Sequence, residues 1–180
     1  MPATPNDILH FWRDAGPKKW FAHSPVFDEA IRLKFEPLHH AAARGEYDAW
    51  AENAEGALAL LILLDQFPRN LYRGSAHGYA TDGKARHLAR AAVARGFHRE
   101  VEPALAQFFV LPFEHSEAMA DQDEALRLAD ELTDPEVRKW ADIHREIIAR
   151  FGRFPHRNPA LGRETTPAEQ AFLDEGGFAG

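Results

Sequence analysis

Apolar residues recur along most of the chain at helical spacing, with polar residues between them. Ile31, Phe35 and Leu38 follow this pattern, in which every third or fourth residue faces the same side. The segment AEGALALLILLDQF, residues 54–67, is apolar nearly all round, which predicts a helix buried at the centre of the fold. No stretch alternates polar and apolar residues with β-branched side chains, as a strand would. The pattern therefore predicts an all-α protein.

Helix starts are marked by a capping residue followed by proline, which favours the first turn of a helix. These pairs are Thr4–Pro5, Ser24–Pro25, Asp134–Pro135 and Thr166–Pro167. Asn53 is expected to cap the buried helix, and Pro37 is expected to kink or split the helix that starts at Pro25. The links are short and no boundary is evident. The sequence thus predicts a single domain over residues 1–180, made of stacked antiparallel helical hairpins of a tetratricopeptide-like kind.

Composition narrows the range of partners. The 180 residues carry a net charge of −7, which disfavours nucleic acid and membrane surfaces because both require a basic face. The chain has no cysteine, so disulfides, thiolate zinc sites and cysteine nucleophiles are excluded. Its longest apolar run, residues 57–64, is far shorter than the roughly 20 residues that span a bilayer. We expect a cytoplasmic protein.

The motif DQFPRN, residues 65–70, follows the buried helix directly. Asp65 lies near the helix C-terminus, where the negative end of the helix dipole disfavours a carboxylate, and a buried carboxylate needs a partner. Arg69 and Arg73 are the nearest cations. Because proline removes a donor, the helix is expected to stop around Gln66 or Phe67, with Asn70 satisfying local backbone groups as an Asx turn.

Two further motifs carry the same chemistry. RFPHRN, residues 153–158, follows another predicted helix and supplies Arg153, Arg157 and Asn158, with Arg163 close behind. In EHSE, residues 114–117, Glu114 and Glu117 are expected on one helix face around His115.

Two interpretations of these residues stay open. In the first, Asp65, Glu114 and Glu117 pair with the arginines and hold the loops to the helices. In the second, the five arginines exceed the three acids, so one or two arginines are left to hold a phosphate or carboxylate in a pocket. Clustered charges occur both at functional sites and in structural networks.

Catalytic and metal signatures are missing from the sequence. Histidines such as His115, His144 and His156 could ligate a metal, but their spacing matches no known signature. We expect no metal site and no cofactor. If the chain has an active site, His115 is the natural acid–base residue.

Three long motifs, DQFPRNLYRG, LPFEHSE and ARFGRFPHRNPALGRETTPAEQAFL, occur in this order. With them the chain resembles the bacterial family called domain of unknown function 924. The resemblance implies a helical, tetratricopeptide-like fold and carries no activity with it.

Two classes of function are therefore predicted. The first is a bacterial binding or scaffold module that takes a peptide or protein in a helical groove, an analogy from fold alone. The alternative is a small-molecule binder or enzyme with an arginine-rich anion pocket formed by DQFPRN, EHSE and RFPHRN.

Overall fold

The computed structural model describes residues 3–180, and within that range every regular element is a helix. This confirms the all-α prediction. The α-helices are α1 (Pro5–Ala15), α2 (Pro17–Trp20), α3 (Pro25–Ala43), α4 (Ala54–Leu61), α5 (Phe67–Leu71), α6 (Asp82–Ala94), α7 (Pro103–Ala106), α8 (Leu111–Glu114), α9 (Met119–Leu132), α10 (Pro135–Phe151) and α11 (Pro167–Asp174). Short 3₁₀-helices cover Asp48–Glu52, Ala76–Tyr79, Phe97–Arg99, Gln107–Phe109 and Pro155–Arg157, and a π-helical turn covers Ile62–Gln66.

The predicted caps at Ser24, Asn53 and Asp134 form as expected. The Ser24 hydroxyl accepts the Phe27 N–H at 3.3 Å, and the Asn53 side chain accepts the Gly56 N–H at 2.9 Å. The Asp134 carboxylate accepts the Glu136 N–H at 2.9 Å. α3 runs through Pro37 as one helix, so the predicted split is wrong. Proline removes only one backbone N–H donor, and the helix continues on both sides of it.

The described chain forms two compact units. The first holds the described residues up to Arg73 together with His77–Pro112, and the second holds Gly74–Ala76 and Phe113–Gly180. The single domain over residues 1–180 stays a prediction. Among residues 3–180, no helix combines the length and the apolar character that a membrane crossing requires.

In the first unit, α3 lies antiparallel to α4 and α5. His39 contacts Leu63, and Asp28 contacts Asn70. Residue numbers therefore increase along one helix as they decrease along the other. Residues 56–68 are buried throughout, as the sequence predicts, and Phe67 packs against the rings of Trp12 at 5.6 Å and Phe35 at 5.1 Å.

The second unit contains an antiparallel hairpin of α9 and α10. Asp130 pairs with Arg138 near the turn, and Asp123 pairs with Arg145 seven residues further along each helix. One predicted helical hairpin is therefore present, while the tetratricopeptide-like stacking of several hairpins stays a prediction.

α4 approaches the 3₁₀-helix Asp48–Glu52 closely at Gly56. A Cβ added there would lie 2.1 Å from the Trp50 carbonyl oxygen, a distance that forces two backbones apart. Glycine is required here because no side chain fits, even though alanine is the better helix-forming residue.

We predict that Gly56→Ala destabilises the protein by about 1–3 kcal/mol, as an overpacked core does, although alanine is the better helix former. Gly83→Ala is the matched control: it lies in the first turn of α6 with no atom within 4 Å of the added Cβ, and it should stabilise the fold by about 0.4–1 kcal/mol. Urea unfolding of both variants measures the two changes. A neutral Gly56→Ala would contradict the close approach.

Candidate functional site

The buried helix does not stop near Phe67, and the predicted stop is wrong. α4 passes into the π-helical turn Ile62–Gln66, and α5 follows without a break. Within this turn the Phe67 N–H donates to the Ile62 carbonyl, five residues back. A π-turn accommodates one additional residue, which rotates all later residues by about 100° relative to an uninterrupted α-helix. The helix can thus continue through Pro68.

Side chains from other helices cap the carbonyls that this turn leaves open. The Leu64 carbonyl has no donor four residues on, because that residue is Pro68, and the Thr81 hydroxyl donates to it at 2.5 Å. The Phe67 N–H no longer reaches Leu63, whose carbonyl accepts from His39 Nδ1 at 2.8 Å. Buried carbonyls need such partners, so Thr81 and His39 belong to the structure of the helix.

The His39 bond fixes the state of the ring. A carbonyl only accepts, so Nδ1 carries the proton. Burial lowers the pKa of His39, and this outweighs the opposing effect of the Leu63 carbonyl. The ring is therefore neutral near pH 7.

Arg69 is held by two acids. Its Nη1 and Nη2 each lie 3.1 Å from the Asp82 carboxylate oxygens, and Nη1 lies 3.4 Å from Asp65 Oδ1 and also donates to the Asp65 carbonyl. Burial alone would lower the pKa of Arg69, but the two carboxylates raise it overall. Asp65 also accepts the Gln66 side-chain amide at 2.6 Å. Arg69 thus ties α5 to the start of α6.

Asn70 and Arg73 meet a different acid, Asp28 in the first turn of α3. Asn70 Nδ2 donates to Asp28 Oδ1 at 2.7 Å, and Arg73 donates from Nε at 2.7 Å and from Nη2 at 3.1 Å. Burial would raise the pKa of Asp28, but the bonds from Arg73 and Asn70 lower it below its usual range. Asn70 therefore bonds across to α3, and the predicted local turn is wrong.

A cavity of about 360 Å³ lies beside this group. It is lined by Asn70, Leu71 and Arg73 from the motif region and by His23, Pro25, Asp28, Glu29 and Arg32. Each nitrogen of the Arg32 guanidinium has a partner. Nη1 lies 3.0 Å from Glu36, Nη2 lies 2.6 Å from the Leu71 carbonyl, and Nε lies 3.5 Å from Glu29. Arg73 is different, because Nη1 has no acceptor among residues 3–180.

In the second unit, Glu117 joins two segments of the chain. Its carboxylate accepts from Arg163 Nη1 at 2.7 Å and Nη2 at 3.0 Å, and from the Phe154 N–H at 2.8 Å. Burial would raise the pKa of Glu117, but these bonds lower it overall. Arg163 Nε donates to Asn158 Oδ1 at 2.9 Å. The arrangement holds the loop after α10 against residue 117.

Arg153 pairs with a buried acid on α11. Its Nε and Nη2 lie 2.6 Å and 2.9 Å from the Glu169 oxygens, and the Thr166 N–H donates to the same carboxylate at 2.7 Å. The Arg153 bonds and the capping bonds lower the pKa of Glu169 to about 2. Asn158 Nδ2 also reaches Glu169, at 3.3 Å. Asn158 therefore connects the Glu117 and Glu169 groups.

Arg157, Glu114 and His115 lie nearby in the same unit. Arg157 donates to the His115 carbonyl at 3.0 Å, and its guanidinium lies 4.5 Å from the Phe154 ring centre. Glu114 is 1% exposed, and its Oε2 lies 3.5 Å from Nδ1 of His144. The acid–base role of His115 stays a prediction.

The expectation that Glu114 and Glu117 share a helix face is wrong. α8 ends at Glu114, and residues 115–118 form a turn before α9. Ser116 stabilises this turn, because its hydroxyl bonds to Asp121 at 2.6 Å and accepts the Ala118 N–H at 3.2 Å. Helical spacing therefore does not apply across the motif.

The structure groups the predicted residues by unit. Asp65, Arg69, Asn70 and Arg73 lie in the first, while the EHSE and RFPHRN residues lie in the second. The predicted surplus of arginines is wrong, since Asp28, Asp82 and Glu169 also pair with them. Sequence reasoning missed these acids because each resembles an ordinary acid in the first turn of a helix. Across residues 3–180, no three metal-ligating side chains come together in a way that could hold a metal ion.

We predict that Thr81→Val lowers the free energy of unfolding by about 1–3 kcal/mol, because it leaves the buried Leu64 carbonyl without a donor. Thr81→Ser retains the hydroxyl and is the matched control, with a much smaller expected loss. Urea denaturation compares the three proteins. Equal losses in both variants would show that the hydroxyl does not cap the π-turn.

A pH-dependent loss of stability should follow from His39. Its folded pKa lies below the ordinary value of 6.5, so the unfolded chain takes up a proton first as the pH falls. The contribution is fully present above about pH 6.5 and is lost below it. His39→Asn retains a donor near the Leu63 carbonyl without titrating, and it should lose less unfolding free energy between pH 7 and pH 5. The exposed His10→Asn should keep the wild-type slope; an unchanged slope in His39→Asn would contradict the assignment.

Comparison with known proteins places the chain in a family. A family model described as bacterial protein of unknown function (DUF924) matches residues 8–177. A solved structure of a protein of unknown function from Agrobacterium tumefaciens is 50% identical, with a TM-score of 0.92, and the match covers 95% of this chain and 97% of that one. No curated protein matches the sequence. This chain therefore belongs to the DUF924 family.

Proposed function

We propose that this chain is a helical binding module that holds the carboxylate end of a peptide on Arg73. The observation that supports this is the state of Arg73 in its cavity. One edge of its guanidinium, Nε and Nη2, is on Asp28. Nη1 has no acceptor in the described chain, and the side chain is 36% exposed. An arginine can present a second edge to a carboxylate in the same plane.

The neighbouring charges favour an anion at this edge. Asp28 is ionised and already accepts three hydrogen bonds from Asn70 and Arg73, which leaves it little capacity for a cationic ligand. Glu29 lies 3.5 Å from Arg32, which offsets its charge. His23 is exposed at the rim of the cavity and offers a further donor.

An apolar strip lies on the next face of the same helix. Val26 is 83% exposed and Leu33 is 76% exposed, and seven residues place them two turns apart on one side of α3. Pro25, Glu29 and Arg32 face the cavity about 100° away around the helix. Single exposed apolar residues are common, but here two of them flank a charged cavity. A peptide with an apolar residue next to its terminal carboxylate can use both features.

The first test uses N-acetyl-leucine, which carries an apolar side chain, an amide and a free carboxylate. Binding is followed by ¹H–¹⁵N chemical shifts of the full chain. We predict saturable shifts at Asn70, Arg73 and the first turns of α3. N-acetyl-leucinamide lacks the charge and should bind at least about tenfold more weakly, the loss expected for a charged hydrogen bond.

Variants separate the contribution of the Arg73 guanidinium from that of the apolar strip on α3. Arg73→Gln should abolish the shifts, whereas Arg44→Gln in the same unit, outside the cavity, should leave them unchanged. Val26→Ser should weaken N-acetyl-leucine without changing the response to acetate. Equal binding of the acid and the amide would refute the carboxylate site. If inorganic phosphate or acetate binds as tightly as N-acetyl-leucine, the cavity is a small-anion site and the peptide is excluded.

A further inference from the structure

A second cavity lies in the other unit, and its wall is built by the turn after α11. The Gly176 N–H donates to the Leu173 carbonyl at 3.1 Å and the Gly177 N–H donates to the Phe172 carbonyl at 2.9 Å. These two bonds, with Gly176 at φ +83°, form a Schellman motif. A Cβ on Gly177 would lie 2.5 Å from the Phe172 ring, so only glycine lets the chain pass over that ring.

This turn directs Phe178 back onto α10. Its ring lies 4.6 Å from the His144 ring and 6.0 Å from the Trp140 ring, measured between centres. Between Phe178 and α10 is a cavity of about 260 Å³. Its lining is largely apolar, from Ile143, Ile147, Phe151, Phe172 and Phe178. The volume is below the roughly 300–1,000 Å³ of sites for drug-sized molecules, so the cavity suits a small occupant.

Two opposite charges stand at the rim. Glu146 and Arg150 are exposed and lie one helical turn apart on α10. Within residues 3–180 neither takes part in an ion pair or a side-chain hydrogen bond. Pairs with the same spacing in this unit do form: Arg127 lies 3.1 Å from Glu131, and Arg138 lies 3.0 Å from Asp142.

Arg150 turns instead toward the aromatic wall. Its guanidinium carbon lies 4.6 Å from the centre of the Phe151 ring and 5.6 Å from that of Phe172. A guanidinium that stacks on rings keeps its in-plane N–H donors available. The rim therefore offers one donor group and one acceptor group beside an apolar cavity.

We propose that this cavity binds an apolar α-amino acid. The aliphatic or aromatic side chain fills the space beside Phe172 and Phe178. The carboxylate bonds to Arg150, and the ammonium group bonds to Glu146. The carboxylate of a simple acid would be repelled by Glu146, and the ammonium group of a simple amine would be repelled by Arg150. A zwitterion, which carries both charges, therefore fits the rim best.

The test compares L-phenylalanine, phenylacetate and phenethylamine on the full chain. Binding is followed by ¹H–¹⁵N shifts of residues 143–151 and 172–178 and by Trp140 fluorescence, since Trp140 contacts Phe178. Phenylalanine should bind saturably, and each analogue should bind at least about tenfold more weakly for the loss of one charged contact. Equal binding of all three compounds would show an apolar cavity without the proposed specificity and would overturn the proposal, as would the absence of saturation.

Matched variants assign the two contacts. Arg150→Gln should weaken phenylalanine and strengthen phenethylamine, because it removes the cation that repels the amine. Glu146→Gln should weaken phenylalanine and strengthen phenylacetate, because it removes the anion that repels the acid. Arg145→Gln and Glu136→Gln, on the same helix but outside the cavity, should bind phenylalanine as the wild type does. Gly177→Ala should weaken all three compounds because it moves the wall. If the control variants lose as much affinity as Arg150→Gln and Glu146→Gln, the contacts are not those proposed.

Discussion

The first unit depends on one missing hydrogen-bond donor, the absent N–H of Pro68 in a buried helix. A proline inside a buried helix leaves a carbonyl that no water can satisfy. A π-helical turn widens the helix at this point. Two side chains from elsewhere in the unit, His39 on α3 and Thr81 at the start of α6, hydrogen-bond to the carbonyls that are left open. Hydrogen bonds to these carbonyls, in addition to the burial of apolar surface, therefore determine how α3 and α6 pack around this helix.

The same turn arranges the polar residues of the motif. A rotation of about 100° after the π-turn directs Arg69 toward Asp82 and directs Asn70 and Arg73 toward Asp28. Three helices, α3, α5 and α6, are therefore held together by charged side chains that would point in other directions if the helix were regular. The cavity beside Arg73 results from this arrangement, because its lining comes from the start of α3 and the end of α5.

Sequence reasoning succeeds where the cause is local. The caps Ser24, Asn53 and Asp134 depend on residues two or three positions away, and the burial of residues 56–68 depends on composition alone. It fails where the partner is distant. Asp28 and Arg73 are 45 positions apart, and neither carries a local signal for the other. The π-turn was missed for the same reason, since the Thr81 hydroxyl that caps it lies 17 positions from Leu64.

What distinguishes Arg73 from Arg153 is the space beside the side chain more than the charge. Arg153 uses the same edge, Nε and Nη2, on a carboxylate. Its Nη2 also donates to the Glu164 carbonyl at 2.7 Å, whereas the corresponding contact of Arg73 with the Ala22 carbonyl is 3.5 Å, at the limit of a hydrogen bond. Arg73 lines a cavity of about 360 Å³, and Arg153 lines neither of the two cavities described above. Two arginines with the same pairing chemistry can thus differ in role, because a ligand needs room beside the donor as well as the donor itself.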